Sequence, residues 1–168
     1  MAHFSPAIPT RNADIQNGKK KMAEIKAVEG CVFCQIVEGK TPSKKVFEDE
    51  KTLAILDIIP ASFGHILFMP KKHYAILPMM EQADFLHFTA ILRKLVAAQK
   101  KALLLESVTV FVANGQAAGQ QSSHFMIHLV PRERNDSLGF FHPKRHSIDA
   151  KNLERDKAKI ISLLTQKP

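Results

Sequence analysis

Hydrophobic and polar positions alternate, then recur at helical spacing, then alternate again along this chain. Residues 1–30 carry little periodicity: Pro6 and Pro9 interrupt the start, and Ala13–Ala27 fits at most a short basic helix. From Cys31 the pattern sharpens. CVFCQIVEG predicts a short helical turn, broken by Gly39 and Pro42. Lys45–Glu48 and Thr52–Asp57 predict two strands joined by the acidic turn Asp49-Glu50. Pro60–Gly64 reads as a loop, and His65–Met69 as an apolar strand stopped by Pro70. Across Gln82–Leu104 the apolar residues Phe85, Phe88, Leu92, Leu95, Val96 and Leu103 recur at helical spacing, with Arg93, Lys94 and Lys100 elsewhere around the helix. Ser107–Ala113 is a β-branched strand ended by Asn114-Gly115. Asn135–Pro143 reads as a loop, and Asp149 is placed to cap a final amphipathic helix running to Leu164.

The stretch Gly119–Arg132 predicts the last strand. Phe125, Ile127 and Leu129 alternate with His124, Met126, His128 and Val130, so one face is apolar and the other carries polar chemistry. His124 and His128 share a face but lie roughly 13 Å apart in an extended strand, too far for one atom to touch both, with Met126 between them. Strands in runs, with one long helix between the third and fourth, argue for an α+β fold on an antiparallel sheet.

Composition narrows the function classes only a little. The chain of 168 residues is long enough for one domain with a core that needs no disulfides. Its net charge of +8 suits nucleic acid, an anionic membrane or a phosphate-rich small molecule, yet much of the excess sits in solvated runs such as Lys19–Lys21, Lys71-Lys72 and Lys100-Lys101. Two cysteines, Cys31 and Cys34, exclude a secreted disulfide framework and leave redox chemistry or metal binding. A redox pair would want a βαβ setting that is absent here, and histidines are available elsewhere, so metal is favoured. No apolar run reaches membrane-spanning length and no secretory h-region opens the chain, so a cytoplasmic protein is expected. Met22 is a candidate alternative start.

Four segments, VFEDEKTLAILDI, GHILFMPKKH, ANGQAAGQ and HFMIHLVPR, together resemble the histidine-triad (HIT) superfamily. The resemblance runs from about Cys31 to Arg132. It divides the chain into an extension (1–30), a HIT-like domain (31–134) and a C-terminal loop and helix (135–168). It implies a five-stranded antiparallel sheet with one long helix and a C-terminal helix, paired into a homodimer with a continuous sheet. Relatives carrying C-x-x-C hold a structural Zn²⁺, here through Cys31, Cys34, His73 and His124; the bland alternative is two buried cysteines and unrelated histidines. The ligand implied is a purine nucleotide or a dinucleoside polyphosphate. Asp57 would bind the ribose hydroxyls, Asn114 the phosphate or leaving group, and Ile58, with Ile55 and Leu56, the base. Gln120, Gln121 and Ser122 belong to the loop that would surround the α-phosphate. As strand-end, turn and core residues, each of these also has an ordinary structural reading.

His65 and His128 correspond to supporting catalytic histidines. The family's nucleophile is the middle histidine of His-φ-His-φ-His, and that position is Met126, which has no basic lone pair for attack on phosphorus. Three functions follow: a nucleotide-binding protein with little or no hydrolysis, an active hydrolase or nucleotidyltransferase with a changed mechanism, or a basic nucleic-acid-binding domain. The last ranks lowest, because aromatic residues do not interleave with the lysines.

Overall fold

The structure is a computed structural model that describes residues 28–136, 138 and 149–164. The expected basic helix at Ala13–Ala27 and most of the expected loop at Asn135–Pro143 lie outside the described residues. The chain divides into two compact units, residues up to 136 and residues from 137 onward. In the second, α3 (Ala150–Leu164) opens as its sequence predicts: Asp149 Oδ1 accepts the backbone N–H of Asn152 at 2.8 Å, satisfying one of the helix's free first-turn donors.

The first unit is a five-stranded sheet in which every neighbouring pair is antiparallel, ordered β1-β2-β3-β5-β4. Its strands are β1 (Lys45–Glu48), β2 (Thr52–Leu56), β3 (Ile66–Pro70), β4 (Ser107–Phe111) and β5 (Ile127–Arg132). Asp49 organises the β1–β2 turn. Its Oδ1 accepts the N–H groups of Lys51 and Thr52 and the Thr52 hydroxyl, while Oδ2 lies 2.8 Å from His87 Nε2 on the long helix. That helix, α2 (Gln82–Ala102), packs on one face of the sheet. Phe88 stacks on Phe68 with ring centroids 4.1 Å apart, amid Ala54, Ile66, Ile91, Leu95, Phe125 and Leu129. The short α1 (Val32–Val37) serves the other face, where Ile36 joins Leu53, Ile55, Leu67, Met69 and Met126. Both faces of β2 and β3 are therefore covered, which explains their unbroken apolar runs.

Three expectations need correction. The last strand begins at Ile127 and not at His124: Phe125 N–H bonds to the Tyr74 carbonyl instead of a ladder partner, so His124 leads into the sheet from outside it. The strand after α2 stops at Phe111, short of Ala113. In α2 the buried stripe is Phe88, Ile91, Leu95 and Gln99, while Phe85 and Leu103 are exposed. The spacing of a stripe identifies a helix, but a one-residue rotation of it decides which members reach the core.

Candidate functional site

Two clusters of ligating and titratable side chains form around the sheet. In the first, the turn that opens α1 supplies Cys31 and Cys34, the segment after β3 supplies His73, and the approach to β5 supplies His124. Cys34 Sγ lies 3.3 Å from His73 Nδ1 and 3.6 Å from His124 Nδ1, and Cys31 Sγ lies 3.7 Å from His124 Nδ1. A tetrahedral Zn²⁺ with arms of about 2.3 Å to sulfur and 2.05 Å to nitrogen has sulfur–nitrogen edges of about 3.6 Å, so these spacings fit that ion. The Nε2 of His124 is 2.8 Å from the Pro70 carbonyl, which holds the hydrogen on Nε2 and leaves Nδ1 bare toward the sulfurs. Burial is the main cause that lowers the His124 pKa to about 4, and it also lowers that of His73, both toward the neutral ring that a metal ligand needs. Burial pushes the Cys34 thiol up, which a bound cation would reverse.

The second cluster lies where β2 ends and β3 begins, beside the first residues of β5. Asp57 follows β2, His65 precedes β3, and His128 faces Leu67 across the β3–β5 ladder, so all three share the sheet face opposite α2. Asp57 Oδ1 accepts the Ile59 N–H at 2.9 Å, and its Oδ2 is 3.2 Å from His65 Nδ1. His65 Nε2 is in turn 3.1 Å from His128 Nδ1. The Phe111 ring lies flat on His128, with centroids 4.5 Å apart and planes 8° from parallel. Burial lowers the pKa of both histidines. For His65 the Asp57 carboxylate opposes it; for His128 the neighbouring His65 adds to it and Asp57 opposes.

The other expected site residues fall as follows. Ile58 stands 87% exposed beside Asp57. Asn114 Oδ1 accepts the Leu77 N–H at 2.9 Å. Gln120 braces its own loop, donating from Nε2 to the Ala75 and Ser122 carbonyls and accepting the Gly115 N–H at Oε1. Gln121 is exposed, and the Ser122 hydroxyl oxygen accepts the His124 N–H at 3.0 Å. Met126 is 9% exposed and packs in the apolar cluster on the same face as His128.

Two residues of this neighbourhood were missed in the sequence. Gln99 reaches from α2 to donate to the carbonyls of Gly64 at 2.8 Å and Leu129 at 3.2 Å, the residues adjoining His65 and His128. A glutamine four residues after Leu95, on the buried stripe, was the available signal. Phe111 reaches His128 through the β4–β5 register, which local sequence does not reveal.

The HIT domain family matches residues 38–135. The chain is similar to the adenylylsulfatase HINT3 of Arabidopsis thaliana, at 34% identity over 96% of this chain and 86% of that protein. It is similar as well to a HIT-like protein of Methanocaldococcus jannaschii, at 40% identity over 63% of this chain and 81% of that one. Among solved structures, a Streptococcus mutans protein superposes with a TM-score of 0.78 at 30% identity, covering 94% of this chain and 99% of its own. A zinc-bound histidine-triad family protein of Mycobacterium smegmatis superposes with a TM-score of 0.62 at 32% identity, covering 80% and 97%.

Proposed function

Given that the chain belongs to the HIT family, we propose that it is a zinc-stabilised nucleotide-binding protein whose hydrolysis of nucleoside phosphates is slow. The observation that carries this reading is the pairing of an apolar Met126 with an otherwise complete cluster of Asp57, His65 and His128 on the same face. In the pose taken from the family resemblance, a purine lies against exposed Ile58, the ribose meets Asp57, and the α-phosphate sits near Asn114, Gln120, Gln121, Ser122 and His128. The Arabidopsis relative's name describes cleavage of an adenylyl–sulfate bond. An adenylyl group joined to a leaving group, or a dinucleoside polyphosphate, is therefore the substrate class to examine.

Zn²⁺ is assigned to Cys31, Cys34, His73 and His124, in keeping with their tetrahedral spacing and the zinc-bound mycobacterial neighbour. Bound there, it would cross-link the start of α1, the segment after β3 and the approach to β5. A cytoplasmic homodimer completes the proposal. In its favour, β4 is an edge strand with Val110 exposed, as is Val112 just after it, a surface suited to pairing with another strand.

Calorimetry with AMP and GMP on wild type and Asp57→Ala tests the pocket. The variant should bind more weakly; equal affinity in both, or no binding of either nucleotide, would contradict the pocket as drawn. The second reading, a fully active hydrolase with a changed mechanism, is favoured by the intact His65–His128 contact and is decided by turnover rates.

A further inference from the structure

The sheet is interrupted beside the candidate site, and two side chains close the gap. Asp57 N–H bonds to the His65 carbonyl at 2.9 Å, so the His65 backbone faces β2 and its neighbours Gly64 and Ile66 face β5. Ile66 pairs with Leu129, which sets Gly64 opposite Pro131 one step further along. β5 lies between β3 and β4, and a proline inside a central strand removes a ladder donor. The ladder therefore has no N–H for the Gly64 carbonyl, on the residue that leads directly into His65.

Gln99 supplies the missing donor from α2. The side chain is buried, with 4% of the residue exposed, and its Nε2 donates to the Gly64 carbonyl at 2.8 Å and to the Leu129 carbonyl at 3.2 Å. Both amide hydrogens are then engaged. Turning the amide over would set Oε1 against two carbonyl oxygens, so the chemistry of the partners fixes its orientation. Oε1 itself meets no protein group among the described residues, which leaves the two donated bonds as what the amide contributes. The other half of the same ladder step is also made by a side chain. In a regular pair the Pro131 carbonyl would accept the Gly64 N–H, and here it accepts the Ser62 hydroxyl at 2.7 Å.

We propose that Gln99, assisted by Ser62, is the positioning residue of the candidate site: it completes the β3–β5 junction where Pro131 breaks it and so holds His65 against His128. The proposal rests on the nucleotide reading above, which makes His65 and His128 part of the site. Gly64 precedes His65 and Leu129 follows His128, so one amide ties the backbone beside both rings, whose nitrogens meet at 3.1 Å. The bonds of Gln99 go to backbone carbonyls, and it acts on the histidines through the strands. Without the donor, the turn before β3 is released from β5 and carries His65 with it. The Cys/His cluster stands at the opposite end of the same strand pair, where His124 is tied to the Pro70 carbonyl, and it keeps its contacts.

The test follows the imidazole ring nitrogens of the full chain by NMR, with AMP affinity measured in parallel by calorimetry. The proteins are wild type, Gln99→Met, Ser62→Ala and the double variant Gln99→Met with Pro131→Ala. Gln99→Met keeps the length of the side chain and removes the donor. It should shift the His65 and His128 signals and weaken AMP binding severalfold, while the His73 and His124 signals stay in place. Ser62→Ala should shift the same two rings by less. The double variant returns a backbone N–H opposite the Gly64 carbonyl and should move both rings back toward their wild-type positions, a rescue that a role in packing alone would not produce. Stationary His65 and His128 signals in Gln99→Met, equal shifts of all four histidines, unchanged AMP affinity, or no recovery in the double variant would overturn the proposal. Should Gln99→Met not fold, Ser62→Ala decides: shifted His65 and His128 signals support the proposal and stationary ones overturn it. If wild type binds no AMP, the nucleotide reading fails, and the ring signals still decide whether Gln99 sets the histidine pair.

Discussion

At the scale of single residues, the proposed function turns on position 126. The methionine packs with Ile36, Leu53, Ile55, Leu67 and Met69, so its thioether completes an apolar surface. Placing histidine there should cost about 1–3 kcal/mol of stability, because a polar ring enters a cluster that offers it no hydrogen-bond partner. A lower melting temperature for Met126→His than for wild type is the expected result. The residues proposed to hold zinc follow a similar logic with the opposite sign. Cys34→Ser should lose both bound zinc and thermal stability, read by elemental analysis and a melting scan; metal-free wild type purified without chelator, with unchanged melting in the variant, would contradict the assignment. Residue identities were the most legible part of the sequence. The four residues expected as ligands converge within 4.8 Å, because C-x-x-C in one helical turn and a histidine beside each of two strand ends leave little freedom. The contact of His65 Nε2 with His128 Nδ1 was not legible, since it depends on side-chain angles on two neighbouring strands.

Among the elements, the β2–β3 connection sets the geometry of the second cluster. Gly64 has φ +83°, a conformation costly for any residue with a side chain, and an added Cβ would come within 2.4 Å of Leu103 Cδ1. Gly64→Ala should therefore destabilise the fold by about 1–3 kcal/mol and weaken the His65–His128 contact, measurable as a lower denaturant midpoint with reduced turnover. Strand and helix positions followed from periodicity because β2, β3 and α2 each keep one pattern along their length. The start of β5 did not. Alternation continues through His124–Met126, but Phe125 turns its N–H to Tyr74, and alternation alone cannot tell a strand from an extended approach to one.

For the whole molecule, five strands and one long helix hold two histidine clusters on separate parts of the same sheet. Burial lowers the pKa of His65, His73 and His128, so the folded protein binds fewer protons than the unfolded chain below the ordinary histidine range. Their contribution to stability is complete above pH ~6.5 and is lost as pH falls from there through the lowered folded values. Denaturant midpoints between neutral and mildly acidic pH should drop accordingly, more steeply when protonation of the ligands also releases metal. The partner choice of the whole molecule was least legible, because net charge reports a surface and not a pocket. The most direct test of the account compares wild type with Met126→His on adenosine phosphoramidate, reading the hydrolysis rate and the intact protein mass in one experiment. Wild type should turn over slowly without a covalent adduct, while Met126→His should be at least about tenfold faster, equivalent to about 1.4 kcal/mol of barrier, and should carry a trapped nucleotidyl group. Fast turnover by wild type that Met126→His does not increase would contradict the account.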